Sequence, residues 1–146
     1  MLDKVLEGGG EPAVSVGDRG LTYGELRECA AAVAKHFEGA ERVAVWAENT
    51  LETCVAAVAA LATGTPFVPV NPKLGRSELE HVLTDSEPDV IFGGPDGTAV
   101  DLDARASELP ESSAQDEDPA LIIYTSGTTA RRGSIAPLGR PVVPDV

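Results

Sequence analysis

The chain has 146 residues, enough for one domain. Hydrophobic residues make up 42% and charged residues 24%, ordinary values for a globular chain, while 24 acids against 11 bases leave a net charge of −13. A surface that negative repels nucleic acid and anionic lipid, so neither nucleic acid nor membrane is expected as a partner; a nucleotide held locally by backbone N–H groups is not excluded.

Residues 1–10 carry Asp3 and Glu7 and no long apolar run, which is not the pattern of a signal peptide. Residues 13–16 are β-prone and are followed by Gly17-Asp18-Arg19-Gly20 and then Leu21-Thr22-Tyr23, which predicts a small hairpin. Thr22-x-x-Glu25 is a capping box and opens a helix expected over about 22–38. Leu26, Ala30, Val33 and Phe37 recur at i, i+4, i+7 and i+11, which makes one apolar stripe, and Gly39 ends it.

Residues 42–46 read as a β-branched strand. Asn49-x-x-Glu52 opens the next helix, expected over 49–63 with Asn49 as cap and Gly64 as terminator. This helix is apolar almost all round from 51 to 62, so deep burial is expected. Its apolar run of 55–62 is far too short to span a bilayer. Residues 66–70 form a third strand with apolar residues on both faces, as in a parallel sheet covered on two sides.

Asn71-Pro72 breaks the chain. Ser77-x-x-Glu80 caps a helix over 77–86, a strand follows at 89–92, and Gly93-Gly94-Pro95-Asp96-Gly97 is a turn. A weak strand is read at 99–102, a solvated acidic loop at 108–118, and a strong strand at 121–124. The alternation from residue 42 onward predicts an α/β fold whose sheet is mostly parallel and flanked by helices.

Cys29 and Cys54 fall in Ala-rich helical stretches without any zinc-ligand spacing; both read as small buried apolar residues, which fits a reducing cytosol and a cytoplasmic protein. His36 and His81 lack ligand-type partners nearby in sequence. Asp85, Glu87 and Asp89 read as a solvated loop rather than a metal site, so no metal ligand is assigned. Trp46 reads as core and Lys73 as a surface cation. Ser126 lacks a GxSxG setting, and no catalytic residue is assigned.

The chemistry is concentrated in Tyr124-Thr125-Ser126-Gly127-Thr128-Thr129. This segment follows an apolar strand, is dense in hydroxyls, and contains Gly127, which lets the backbone approach a ligand. Successive N–H groups with Ser and Thr hydroxyls can donate to phosphate oxygens, and ligands of open α/β sheets bind beyond the carboxyl ends of the strands.

The run from Ile123 to Thr129 resembles the phosphate-loop signature of the AMP-forming acyl-CoA synthetases and adenylation domains. Leu21-Thr22-Tyr23-Gly24-Glu25-Leu26 is similar to an early segment of that family. Residues 55–64, Val68-Pro69-Val70-Asn71-Pro72 and residues 77–91 resemble its next helices and strands, in order. Within the family, residues 42–46 and 68–74 look most like malonate-activating CoA ligases.

The resemblance implies the N-terminal part of the adenylate-forming fold, with residues 1–129 as a partial AMP-binding domain. It implies a carboxylate attacking the α-phosphate of Mg-ATP, followed by transfer of the acyl group to coenzyme A. A small carboxylic acid, ATP, Mg2+ and CoA are the implied ligands of the complete enzyme. Thr125, Ser126, Gly127, Thr128 and Thr129 would hold the β- and γ-phosphates.

The pattern then breaks: Ala130 stands where the family has Gly, Arg132 where it has Pro, and Gly133 where it has Lys. The family's adenine pocket, magnesium-placing acid, ribose aspartate and C-terminal lysine have no counterpart in these residues. The alternative is therefore a non-catalytic remnant, at most a weak nucleotide-binding or interaction module. Its apolar strand 121–124 and helix 51–62 are expected to make the isolated chain self-associate.

Residues 130–146 carry three arginines and three prolines and no trusted periodicity, and read as an irregular tail. A reading-frame shift in a GC-rich gene would produce such a run starting inside a motif. The coding DNA, read in its other two frames across this tail, is expected to continue with Pro-Lys-Gly or Pro-Arg-Gly; absence of that pattern from both frames sinks the idea.

Overall fold

The computed structural model describes residues 2–112 and 119–124, and residues 133–135 as backbone. In chain order the elements are α1 (Leu2–Glu7), β1 (Pro12–Val16), β2 (Arg19–Thr22), α2 (Tyr23–Ala34) with a 3-10 turn (Lys35–Phe37), β3 (Val43–Trp46), α3 (Leu51–Thr63), β4 (Phe67–Val70), α4 (Arg76–Ser86), β5 (Val90–Phe92), β6 (Leu121–Ile123) and β7 (Gly133–Ile135). β1 and β2 pair antiparallel as the expected hairpin. The main sheet has the order β5-β3-β4-β6-β7; the first four strands are parallel and β7 is antiparallel to β6. The α/β architecture with a parallel sheet flanked by helices is the one the alternating apolar periods predict.

β3 has Val43, Ala44 and Val45 all buried, so both of its faces need cover. Val43 and Val45 join Phe92 and the apolar sides of α2 and α3 in one core cluster. Ala44 joins Val68, Val70, Ile122 and Val82 of α4 in a second. The strand order explains the two layers. β3 to β4 moves one way across the sheet through α3, and β4 to β5 moves back past β3 through α4; crossovers of one hand in opposite directions put their helices on opposite faces.

Ala30, Ala31 and Ala34 of α2 and Ala56, Ala59 and Ala60 of α3 are almost wholly buried. Small side chains at this contact let the two helices approach closely. The stripe Leu26, Ala30, Val33 and Phe37 is buried as its spacing predicts. Gly64 caps the carboxyl end of α3 with φ +70°, a left-handed conformation that suits glycine. The outer side of α3 is less covered than expected: Ala57, Val58 and Leu61 are only half-buried.

Several sequence expectations need correction. The cap of α3 is Thr50, whose side chain accepts from Thr53 N, and not Asn49. α4 starts one residue early at Arg76, and Glu78 rather than a Ser77 cap reaches back to Gly75 N at 3.3 Å. Residues 99–102 are not a strand. Thr98 makes a single bridge to Phe92, and the chain then crosses α2, where Val100, Leu102 and Leu109 pack on the first cluster. Ala106 N donates there to Glu28 O at 3.1 Å. α1 was not read from sequence; Val5, which is 1% exposed, anchors it. β7 lies in a stretch without strand periodicity; backbone pairing to the free side of β6 defines it.

The capping box of α2 forms as predicted. Glu25 Oε2 accepts from Thr22 N at 2.8 Å, and Thr22 Oγ1 accepts from Glu25 N at 3.3 Å. The backbone N–H of Thr22, then its hydroxyl, hold the Glu25 carboxyl below its usual value of 4.5. A depressed folded-state value means the stabilisation is present above the ordinary carboxylate range and is lost as pH falls through the depressed one. Thr22→Ala is expected to cost about 1 kcal/mol in urea denaturation at neutral pH. Glu25→Gln is expected to make the melting temperature fall less steeply below pH 4.5 than in the parent; a parallel fall in both would refute the assignment.

Candidate functional site

Adjacent strands whose connections leave toward opposite faces open a crevice at their carboxyl ends, the usual ligand position of open α/β sheets. Here the pair is β3 and β4. At this edge Ala47 N donates to Val70 O at 2.8 Å, extending the pairing one residue past β3. Asn71 Oδ1 accepts from Lys73 N at 2.9 Å, and Leu74 N donates to Asn71 O at 3.1 Å, so the Asn-Pro corner is a hydrogen-bonded turn. Lys73 is exposed and forms no ion pair among the described residues.

The predicted site residues Thr125, Ser126, Gly127, Thr128 and Thr129 lie outside the described residues. Their flanks do not. The pair Phe67 with Leu121, counted forward along parallel strands, brings Tyr124 level with Val70 at the carboxyl edge. Ile123 is paired with Gly133. Both ends of the connection that contains the hydroxyl-rich segment are thus pinned at the carboxyl end of β6.

Tyr124 makes a contact that the sequence did not announce. Its hydroxyl donates to Asp85 Oδ2 at 2.5 Å, and its ring meets His81 edge-on with centroids 6.2 Å apart. Asp85 is thereby removed from the acidic cluster that reads as a solvated loop. Asp89 is removed too: its Oδ2 accepts from Glu41 N and Arg42 N at 2.8 and 3.1 Å, closing the amino end of β3. No group of three or more His, Cys, Asp or Glu able to hold a metal occurs among the described residues.

The remaining candidates are structural. His36 is exposed, with its ring edge-on to Phe92. Cys29 is buried as expected, but Cys54 is only half-buried, on the outer side of α3. Burial pushes the Cys29 thiol up, with the Arg105 guanidinium opposing, so it is not an activated nucleophile. Trp46 is half-buried, with the glycine turn lying over it. No described helix is long and apolar enough to cross a membrane.

A groove at the other end of the sheet, between the 3-10 turn and the approaches to β3 and β4, is rimmed by Glu38, Glu41 and Glu111. Three carboxylates make it a poor place for a phosphate. The carboxyl edge, which carries Lys73, Tyr124 and close-packed glycines, is the better ligand position.

Comparison with known proteins agrees with this geometry. The description of the AMP-binding enzyme family matches residues 3–132. A malonyl-CoA ligase, solved as a ternary product complex with methylmalonyl-CoA and AMP bound, superposes with a TM-score of 0.77 at 40% identity, over 93% of this chain and 32% of that one. A feruloyl-CoA synthase from Amycolatopsis sp is 34% identical over 142 residues, 82% of this chain and 28% of that protein. O-succinylbenzoate coenzyme A synthetase from Bacillus subtilis, in complex with AMP, shares the fold with a TM-score of 0.70 at 23% identity, over 90% of this chain and 39% of that one.

The fold is that of the adenylate-forming enzymes. The chain belongs to the AMP-binding enzyme family, and is acyl-CoA ligase-like within it. It spans only 28% to 39% of the length of these relatives.

Gly94 has φ +71°, and a Cβ there would stand 2.7 Å from Trp46 Cδ2. Gly94→Ala is expected to destabilise by about 1–3 kcal/mol, from overpacking plus left-handed strain. Trp46 fluorescence should change at the same time, since Trp46 is the single tryptophan. Urea unfolding followed by that fluorescence checks both; an unchanged midpoint contradicts the close approach.

Proposed function

We propose that this chain is the N-terminal, phosphate-contacting layer of an ATP-dependent acyl-CoA ligase that adenylates a small carboxylic acid and passes it to coenzyme A. The observation that carries the reading is the Thr125–Thr129 signature, which follows β6 in the sequence, in a chain that is 40% identical to a malonyl-CoA ligase over 93% of its length. That identity favours malonate or a close relative as the acid. Residues 1–129 form the partial AMP-binding domain in this reading, and residues 130–146, apart from the β7 pairing, an irregular or out-of-frame tail. A cytoplasmic location suits the free thiols and the small anionic substrates.

In the complete enzyme, ATP with Mg2+ would place its β- and γ-phosphates on the N–H groups and hydroxyls of Thr125, Ser126, Gly127, Thr128 and Thr129. These donors neutralise and orient the leaving pyrophosphate; orientation and preset donors are the main sources of rate in such transfers. Coenzyme A supplies the thiol that takes the acyl group.

A second reading is favoured by one specific observation. Gly133 stands where the family's loop has Lys, and a charge-assisted contact of that kind contributes about 1.5–3 kcal/mol. On that reading the chain alone is a non-catalytic, weakly nucleotide-binding or interaction module. Arg131 and Arg132 leave a crude, salt-sensitive attraction for polyphosphate.

The purified chain is expected to release no pyrophosphate with malonate or other carboxylates. It should bind Mg-ATP with a dissociation constant of about 1 mM or weaker, lost on Thr128→Ala and on raising salt. The same samples should self-associate in sedimentation, because the large apolar side chains Leu121 and Ile123 of β6 are only half-buried. Turnover by the chain, or tight Mg-ATP binding indifferent to Thr128→Ala, would overturn this account.

A further inference from the structure

β6 is a short strand with few holds. It meets β4 through one register pair, Phe67 with Leu121, and through Phe67 N donating to Ala120 O at 3.2 Å. Both lie at its amino end. On its other side it pairs with β7, itself only three residues long. Tyr124, the residue that follows, shares the face of Ile122 by strand alternation and packs against the second core cluster. α4 holds it as well: its ring edge meets His81 at 6.2 Å, and its hydroxyl reaches Asp85 Oδ2 at 2.5 Å. Both partners are on α4, 43 and 39 residues earlier in the chain.

A phenylalanine would fill the same apolar space. What the hydroxyl adds is direction: a charge-assisted O–H···O bond is short, stronger than a neutral one and geometrically restrictive. α4 is also the helix that leaves the Asn71-Pro72 corner at the carboxyl end of the neighbouring strand β4. One rigid element therefore borders the carboxyl edge at its start and grips the end of β6 near its finish.

We infer that Asp85 is a positioning residue: through Tyr124 it fixes where the chain leaves β6 toward Thr125–Thr129. The functional meaning rests on the phosphate-contact reading given above; the geometry does not. Asp85 touches no phosphate in this scheme; the tyrosine hydroxyl carries its effect to the end of β6.

The test is amide hydrogen exchange on the full chain, comparing the 124–132 segment with β3 and α3 as internal references. Tyr124→Phe and Asp85→Ala should each speed exchange in 124–132 by about tenfold or more, as loss of one charge-assisted bond from a local opening predicts. β3 and α3 should keep their rates. The double variant should accelerate exchange by less than the product of the two single effects, because both singles remove the Asp85–Tyr124 bond. Asp85→Asn, which keeps the shape and an acceptor but not the charge, should fall between the parent and Asp85→Ala.

Unchanged exchange in 124–132 in both single variants would overturn the inference. So would equal acceleration in β3 and α3, which marks a merely structural bond, or an additive double variant. No nucleotide enters this readout. A failure of the phosphate-contact reading, scored by the Thr128→Ala titration, is therefore distinguishable from a failure of the tether.

Discussion

The constraint on which the rest depends is the parallel pairing of β3 with β4, from Val43 with Phe67 to Trp46 with Val70. Parallel neighbours cannot be joined by a tight hairpin and need a crossover long enough for a helix. α3 is that crossover. A parallel strand that is apolar on both sides also needs cover on both sides, and β3, buried through Val43, Ala44 and Val45, cannot be left half-dressed. Burial of each such side chain stabilises by roughly 1.5–3 kcal/mol, so the two helical layers follow from this pair rather than merely accompany it.

The same pair decides where a ligand can sit. With α3 on one face and α4 on the other, the connections after β3 and β4 part company at the carboxyl ends of the strands. The turns that meet there are tied by backbone and side-chain bonds: Ala47 to Val70, Lys73 to Asn71, Gly93 to Thr98. Gly93 and Gly94 let the turn after β5 close down on Trp46, which any Cβ at Gly94 would strike. The amino ends of the strands are finished differently. Asp89 satisfies the N–H groups of Glu41 and Arg42, and acids line the groove beside them.

The free edges of the sheet are managed as well. β5 is bordered by the returning chain, where Thr98 bridges to Phe92 and bonds Ile91 and Gly93. Past that point the chain lies over α2, with Cys29 Sγ donating to Leu102 O at 3.4 Å and Arg105 set 3.6 Å from Glu28. This strap completes the first core cluster on its exposed flank through Val100, Leu102 and Leu109. An unpaired edge would invite pairing with another chain, and here a loop without regular structure removes one such edge.

Local physics made much of this legible in the residues themselves. The Thr22–Glu25 box, the stripe from Leu26 to Phe37, the Gly64 stop and the apolar runs of β3 and β4 depend on neighbours within a few positions, and each formed where its pattern pointed. The ordered motifs ending in Thr125–Thr129 were enough to reach the family, because order and spacing are properties of the chain. Other features were decided only by tertiary structure. Thr50 rather than Asn49 caps α3, since both are good caps and the approach of the chain from β3 chooses between them. Residues 99–102 lost their strand because α2 offered burial without a partner to pair with. α1 exists because Val5 finds a core to enter. The bond between Asp85 and Tyr124 joins residues 39 apart, a distance over which no sequence period carries information; only the packing of α4 on the sheet face that carries Val68, Val70 and Ile122 brings them together.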